Sequence, residues 1–110
     1  MAIAWADFKR VDMRVGVVVD AQPFPEARRP ALKLWIDFGP LGVKRSSAQI
    51  TERYAPGDLI GRRVVAVVNF SPKQIGPIVS EVLVLGAYNE QGHVILLRPD
   101  FDVIPGSKIG

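Results

Sequence analysis

Val11-Asp12-Met13-Arg14-Val15-Gly16-Val17-Val18-Val19 and Leu32-Lys33-Leu34-Trp35-Ile36-Asp37-Phe38 decide the class of this fold. In the first stretch every odd position is apolar, and Asp12, Arg14 and Gly16 stand between them. In the second, Leu32, Leu34, Ile36 and Phe38 alternate with Lys33, Trp35 and Asp37. Successive side chains of a strand point to opposite faces, so a period of two marks half-buried antiparallel strands. Outward from this pair, Gly39-Pro40-Leu41-Gly42 reads as a turn into a third strand from Val43 to about Ser47. Residues 62–70 are β-branched on both faces, which predicts a central strand, and 81–86 are similar. Tyr88-Asn89-Glu90-Gln91-Gly92 then supplies a hairpin turn before a last strand over 93–98.

Helix is scarce. A short one is predicted over 4–10, with Trp5 and Phe8 on a common face, and another over 50–54, with Thr51 as a cap and Pro56-Gly57 as its stop. The proline- and glycine-punctuated stretch 99–110 adds a short C-terminal extension. About five or six strands in a chain of this length predict a small, nearly closed β-barrel, with a β-sandwich as the alternative that periodicity leaves open. At 110 residues the chain is read as one all-β domain, 1–110.

Composition narrows the function classes. There are no cysteines, which excludes disulfides and thiolate metal sites and fits a reducing compartment. The first ten residues lack the basic-then-apolar layout of a signal peptide, and no run approaches the ~20 apolar residues of a membrane span. A cytoplasmic protein without membrane insertion is expected. Fourteen Lys and Arg against eleven Asp and Glu give a net charge of +3, carried partly by Lys9-Arg10, Arg28-Arg29, Lys44-Arg45 and Arg62-Arg63. That balance favours polyanions mildly, and a basic pair at a strand end also serves as a solvated edge.

Catalytic chemistry has no visible constellation. His93 is the only histidine, and Asp7, Asp12 and Asp37 read as polar faces of a strand or a helix start. None of the phosphate-loop, dinucleotide-binding, zinc-protease or nucleophile-elbow motifs occurs. The expectation is a protein that is no enzyme and uses no cofactor and no metal.

Three segments suggest binding instead. Pro23-Phe24-Pro25-Glu26-Ala27-Arg28-Arg29-Pro30 would be a stiff, basic rim, since proline lowers the freedom a loop loses on meeting a partner. Lys44-Arg45-Ser46-Ser47-Ala48-Gln49 runs a basic pair into small hydroxyl and amide groups suited to an extended backbone or a phosphate. Residues 69–81 are long for a hairpin and carry Phe70, Ile75, Ile78 and Val79, which are predicted to be partly exposed beside Lys73 and Glu81. Trp35 alternates out of phase with Leu34 and Ile36, and Trp5 and Phe8 also lack obvious cover. Aromatic groups of this kind predict a homodimer.

Taken in order, these motifs resemble the CsaA-type protein-export chaperones, small members of the tRNA-binding-domain superfamily. The resemblance runs from Asp7-Phe8 and Asp12-Met13-Arg14-Val15-Gly16 through Phe24-Pro25-Glu26-Ala27-Arg28 and Ser46-Ser47-Ala48-Gln49-Ile50-Thr51. It continues in Val67-Val68-Asn69-Phe70 and Ser80-Glu81-Val82-Leu83-Val84-Leu85-Gly86. It implies a five-stranded OB-fold barrel, a homodimer, and a cytoplasmic role in holding unfolded or precursor polypeptides for export; the alternative is a tRNA-binding module. Asn69, Ser80, Glu81, Ser46 and Ser47 match the superfamily signature, and Arg45, Gln49, Phe70 and Lys73 join them as the expected ligand-binding set. Trp5, Phe8, Phe101, Ile104 and Ile109 are the expected dimer interface. The chain departs from the pattern at Ile75-Gly76-Pro77-Ile78-Val79, where basic character gives way to apolar, which suits a peptide better than a phosphate chain.

Overall fold

The computed structural model describes residues 1–110, and most of its regular structure is strand. One short helix, α1 (Trp5–Lys9), is followed by β1 (Met13–Pro23), β2 (Leu32–Asp37), β3 (Val43–Ala48) and β4 (Arg63–Val67). Then come the hairpin β5 (Lys73–Ile75) and β6 (Ile78–Ser80), the short β7 (Leu83–Val84), and a second hairpin, β8 (Gly86–Tyr88) and β9 (Val94–Leu96). Strands in the order β3-β2-β1-β4-β7, all antiparallel, form a nearly closed five-stranded barrel.

The barrel is possible because β1 serves two partners. Its first half, Met13–Val17, pairs with Val67–Arg63 of β4, and its second half, Val17–Pro23, pairs with Asp37–Leu32 of β2. The strand must bend between them, and a register shift between Val18 and Asp20 supplies the bulge. Here the simple alternation of 11–19 fails. Val15, Gly16 and Val18 are all buried, Val17 is half-buried, and Val19 is 47% exposed. Gly16 is required at the bend, because a Cβ there would collide with Ile36 Cγ2 and lie 2.7 Å from the Phe38 ring.

The alternation of β2 holds in full. Leu32, Leu34, Ile36 and Phe38 are buried, while Lys33, Trp35 and Asp37 are half-buried. They pack with Leu59, Val64, Ala66, Val82 and Leu96 into one core. β4 is buried on both faces between β1 and β7, as its β-branched run predicts. Residues 81–86 do not form one strand; the chain changes partner, from β4 at Leu83–Val84 to β9 at Gly86–Tyr88.

The helix expected over 50–54 is a turn. Tyr54 N–H reaches Ile50 O at 3.2 Å, but Thr51 Oγ1 bonds Glu52 instead of capping. Ala55, next to Pro56, is extended, because the proline ring disfavours helical backbone in the residue before it.

The C-terminal extension runs antiparallel beside the start of β1. Gly106 N–H donates to Val15 O (2.7 Å), Val15 N–H to Ser107 O (2.9 Å), and Ile109 N–H to Met13 O (2.9 Å). Arg14 ties this contact down, with Nε 2.7 Å from Asp12 and Nη1 donating to Gly106 O at 3.1 Å. The hydrogen bond to Asp12 holds the Arg14 guanidinium above its ordinary pKa.

Gly16→Ala is expected to destabilise the fold by about 1–3 kcal/mol through overpacking against Ile36 and Phe38. Urea denaturation checks this as a lower midpoint with an unchanged slope.

Candidate ligand-binding groove

Closure of the barrel between β3 and residues 80–82 is made largely by side chains. Arg45 N–H donates to Glu81 Oε2 (2.7 Å), and Glu81 N–H donates back to Arg45 O (2.8 Å). Ser47 N–H donates to Ser80 Oγ (3.1 Å), and Ser46 Oγ donates to Val82 O (3.2 Å). Glu81 and Ser80 thus supply acceptors that a neighbouring strand's carbonyls would otherwise provide.

This seam forms the floor of a groove of about 340 Å³. The β5–β6 hairpin stands over it, held by a small second cluster in which Phe24, Ala31 and Ile78 are buried with Ile75 and Ala27 against them. Lys33 Nζ lies 5.6 Å from the centre of the Phe24 ring, a cation–π contact on the same anchor. Gln74 Nε2 donates to Gly76 O (2.6 Å) and fixes the hairpin turn, where Gly76 has φ +53°.

Of the expected ligand-binding residues, Ser47, Phe70, Lys73, Ser80 and Glu81 come together in this groove. Phe70 is 57% exposed there. Gln49 lines a neighbouring groove of about 890 Å³, which shares Ser47, Lys73 and Ile75 with the first and adds Arg28 and Arg29. The other three lie elsewhere. Ser46 is fully buried with its hydroxyl spent on the seam, so it closes the barrel and has no surface for a ligand. Arg45 joins the seam through its backbone, and its side chain lines neither groove. Asn69 clamps the entry to β1, its amide oxygen accepting from Asp12 N–H (3.0 Å) and its amide nitrogen donating to Arg10 O (2.8 Å).

The four apolar residues of the hairpin segment divide. Phe70 is exposed, Ile75 and Val79 are half-buried, and Ile78 is core. Sequence reasoning missed Leu83, which is exposed in the groove opposite the buried Val82; alternation along 82–84 was the available signal. It also missed that Arg28 and Arg29 share a surface with Gln49, a contact between elements that no local pattern encodes. Of the expected interface residues, Trp5, Phe101 and Ile104 are exposed, and Phe8 and Ile109 are half-buried. Trp5 and Phe8 stack at 5.6 Å, with Lys9 Nζ 5.9 Å from the Trp5 ring. No group of three or more His, Asp or Glu side chains converges to hold a metal, and no helix is long and apolar enough to cross a membrane.

With this geometry in place, a family model described as "Putative tRNA binding domain" matches residues 13–108. The chain belongs to the tRNA-binding-domain family. That family is a binding domain and not a catalytic one. Two solved structures are similar to this chain over the full length: chaperone CsaA from Bacillus anthracis, 53% identical with a TM-score of 0.94 over 100% of both chains, and CsaA from Picrophilus torridus, 50% identical with a TM-score of 0.93 over 99% of this chain and 100% of that one. Among curated relatives, the methionine–tRNA ligase of Methanocaldococcus jannaschii is 36% identical over 92% of this chain. The chain spans only 15% of that ligase. The chain thus has an OB-type barrel and shares its architecture over its full length with the CsaA structures.

Glu81→Ala is expected to cost about 1.5–3 kcal/mol, since it removes a charged acceptor from Arg45 N–H, whereas Glu81→Gln keeps an acceptor oxygen and should cost less than half as much. Thermal and urea unfolding of the two variants checks the order.

Proposed function

We propose that this chain is a CsaA-like holding chaperone, a cytoplasmic homodimer without catalytic activity that binds unfolded or precursor polypeptides and keeps them competent for export. The observation that carries the reading is the groove above the seam. Phe70 and Leu83 remain exposed within it, Ile75 and Val82 extend its apolar wall, and Lys73 stands at its edge. An extended polypeptide laid there would bury alternate apolar side chains, the usual way short segments are recognised without a fixed sequence. Full-length likeness to proteins named CsaA chaperones supports the same reading.

A second reading, a tRNA-binding module, has its own support. Arg28, Arg29 and Lys73 border the neighbouring groove, and the family description and the ligase relatives point to tRNA. A net charge of +3 is thin for a chain tracking many phosphates, so the peptide reading is placed first.

A labelled unfolded polypeptide titrated with the protein, then challenged with bulk tRNA at near-physiological salt, separates the two. Peptide binding that persists at raised salt and ignores tRNA is the expected result; displacement by tRNA would put the second reading first. Phe70→Ala should weaken peptide binding by roughly 10- to 100-fold, the equivalent of one buried phenylalanine. The double variant Arg28→Ala with Arg29→Ala should leave peptide affinity unchanged and lower any tRNA salt slope by about two units.

The dimer reading puts Trp5, Phe8, Phe101, Ile104 and Ile109 at the interface, and the exposure of the apolar groups Trp5, Phe101 and Ile104 supports it. Sedimentation equilibrium should return a dimer for the native chain and a monomer for Trp5→Ala combined with Ile104→Glu. A native monomer would remove the homodimer from the proposal.

A further inference from the structure

A separate cleft of about 500 Å³ opens where the start of β4 meets the end of β9 and the C-terminal extension. It shares no residue with either groove described above. Along β4 it lies at the Arg62–Arg63 end, about 16 Å of strand from Val67, which pairs with Leu83 of the apolar groove. Its character is also different, because apart from glycine and proline every lining residue is charged.

Three arginines and two aspartates meet there: Arg62, Arg63, Arg98, Asp100 and Asp102. Arg63 is committed to the fold, with Nε donating to Val103 O (2.8 Å) and Nη1 3.4 Å from Asp102. Arg62 is held but not neutralised. Its guanidinium lies 5.2 Å from the centre of the Tyr54 ring, and Tyr54 is itself fixed by accepting Leu96 N–H at 3.0 Å. Arg62 Nε is buried and has no hydrogen-bond partner. The chain's ion pairs are Arg14–Asp12 and Arg63–Asp102, so Arg62, Arg98 and Asp100 bring unpaired charges to one cleft.

This arrangement has a chemical reading. A guanidinium presents a planar fork of donors that matches the oxygens of a phosphate, and one already fixed against an aromatic face gives up little freedom on binding. A buried donor without an acceptor is rare in native folds and invites an explanation. A carboxylate can only accept, so Asp100 would repel a bare phosphate but would take a hydroxyl group carried on the same molecule. The cleft is also larger than one phosphate requires and lies in the size range of small-ligand pockets. We propose that this cleft binds a sugar phosphate, with Arg62 and Arg98 on the phosphate and Asp100 accepting from a sugar hydroxyl. The assignment does not depend on what occupies the apolar groove.

The test uses the intact protein and the NMR resonance of the Arg62 Nε–Hε group, whose burial keeps it observable. Ribose 5-phosphate is expected to move that resonance saturably, whereas ribose without phosphate leaves it in place. Arg98 and Asp100 are exposed, so their variants keep the fold. Arg98→Ala should weaken ribose 5-phosphate by about tenfold or more, the loss of one charged hydrogen-bonding partner. Asp100→Asn should weaken ribose 5-phosphate while leaving inorganic phosphate as tight or tighter. A hexaribonucleotide without terminal phosphates separates the sources: if it moves the same resonance and is equally sensitive to Arg98→Ala, the sugar phosphate is that of an RNA strand, and if it does not, it is a free metabolite. The proposal is overturned if ribose 5-phosphate leaves the Arg62 resonance unmoved or binds Arg98→Ala as well as the native chain. It is equally overturned if Asp100→Asn fails to distinguish ribose 5-phosphate from inorganic phosphate.

Discussion

Between the end of β3 and the start of β7 the barrel is joined by Ser46, Ser80 and Glu81, and the apolar groove depends on that join. A two-residue β7 cannot offer a long ladder of backbone partners. Its shortness would leave N–H groups of Arg45 and Ser47 without acceptors in a partly enclosed place, a costly arrangement in the interior of a protein. Glu81 Oε2 and Ser80 Oγ take those two donors, and the hydroxyl of Ser46 reaches across to Val82 O. The seam is therefore polar at its centre while its outer surface is lined by Phe70, Ile75 and Leu83. The apolar groove and the barrel closure are two sides of the same few residues.

The hairpin that walls the groove is tied to the seam through Ser80 and has a second anchor of its own. Phe24 and Ile78 are buried together away from the main core, so the β5–β6 hairpin rests on the stiff proline-rich loop and not on the barrel interior. Arg28 and Arg29 belong to that same loop, which places the basic groove next to the apolar one. A stiff loop thus both positions the apolar wall and carries the charge beside it.

The sequence made the barrel readable where one strand has one buried face. The alternation in β2 is kept residue by residue, and the doubly apolar β4 lies between two neighbours as its composition requires. Periodicity failed in β1 because the strand bends where it changes partner, burying Val15, Gly16 and Val18 alike, and only Gly16 hints at this in advance. It failed over 50–54 because Pro56 acts backward on Ala55 more strongly than the apolar spacing acts forward. Five of the nine expected ligand-binding residues, Ser47, Phe70, Lys73, Ser80 and Glu81, do meet in one groove. Ser46 and Asn69 have the residue types of a binding site, yet spend their polar atoms on the fold. Composition identifies hydrogen-bonding capacity, but only tertiary pairing shows whether any of it is left over.

The extension beside β1 has one more consequence. Ile109 N–H donates to Met13 O, so the last residues of the chain lie against the start of its first strand. Entry and exit of the barrel meet at one place, which belongs to neither groove. A unit wired in this way can be spliced into a longer polypeptide, or joined end to end on itself, without pulling on either groove. A barrel of this kind can therefore sit inside a much longer chain, as the match to 15–16% of methionine–tRNA ligases illustrates, a portable cassette whose two leads leave from a single corner.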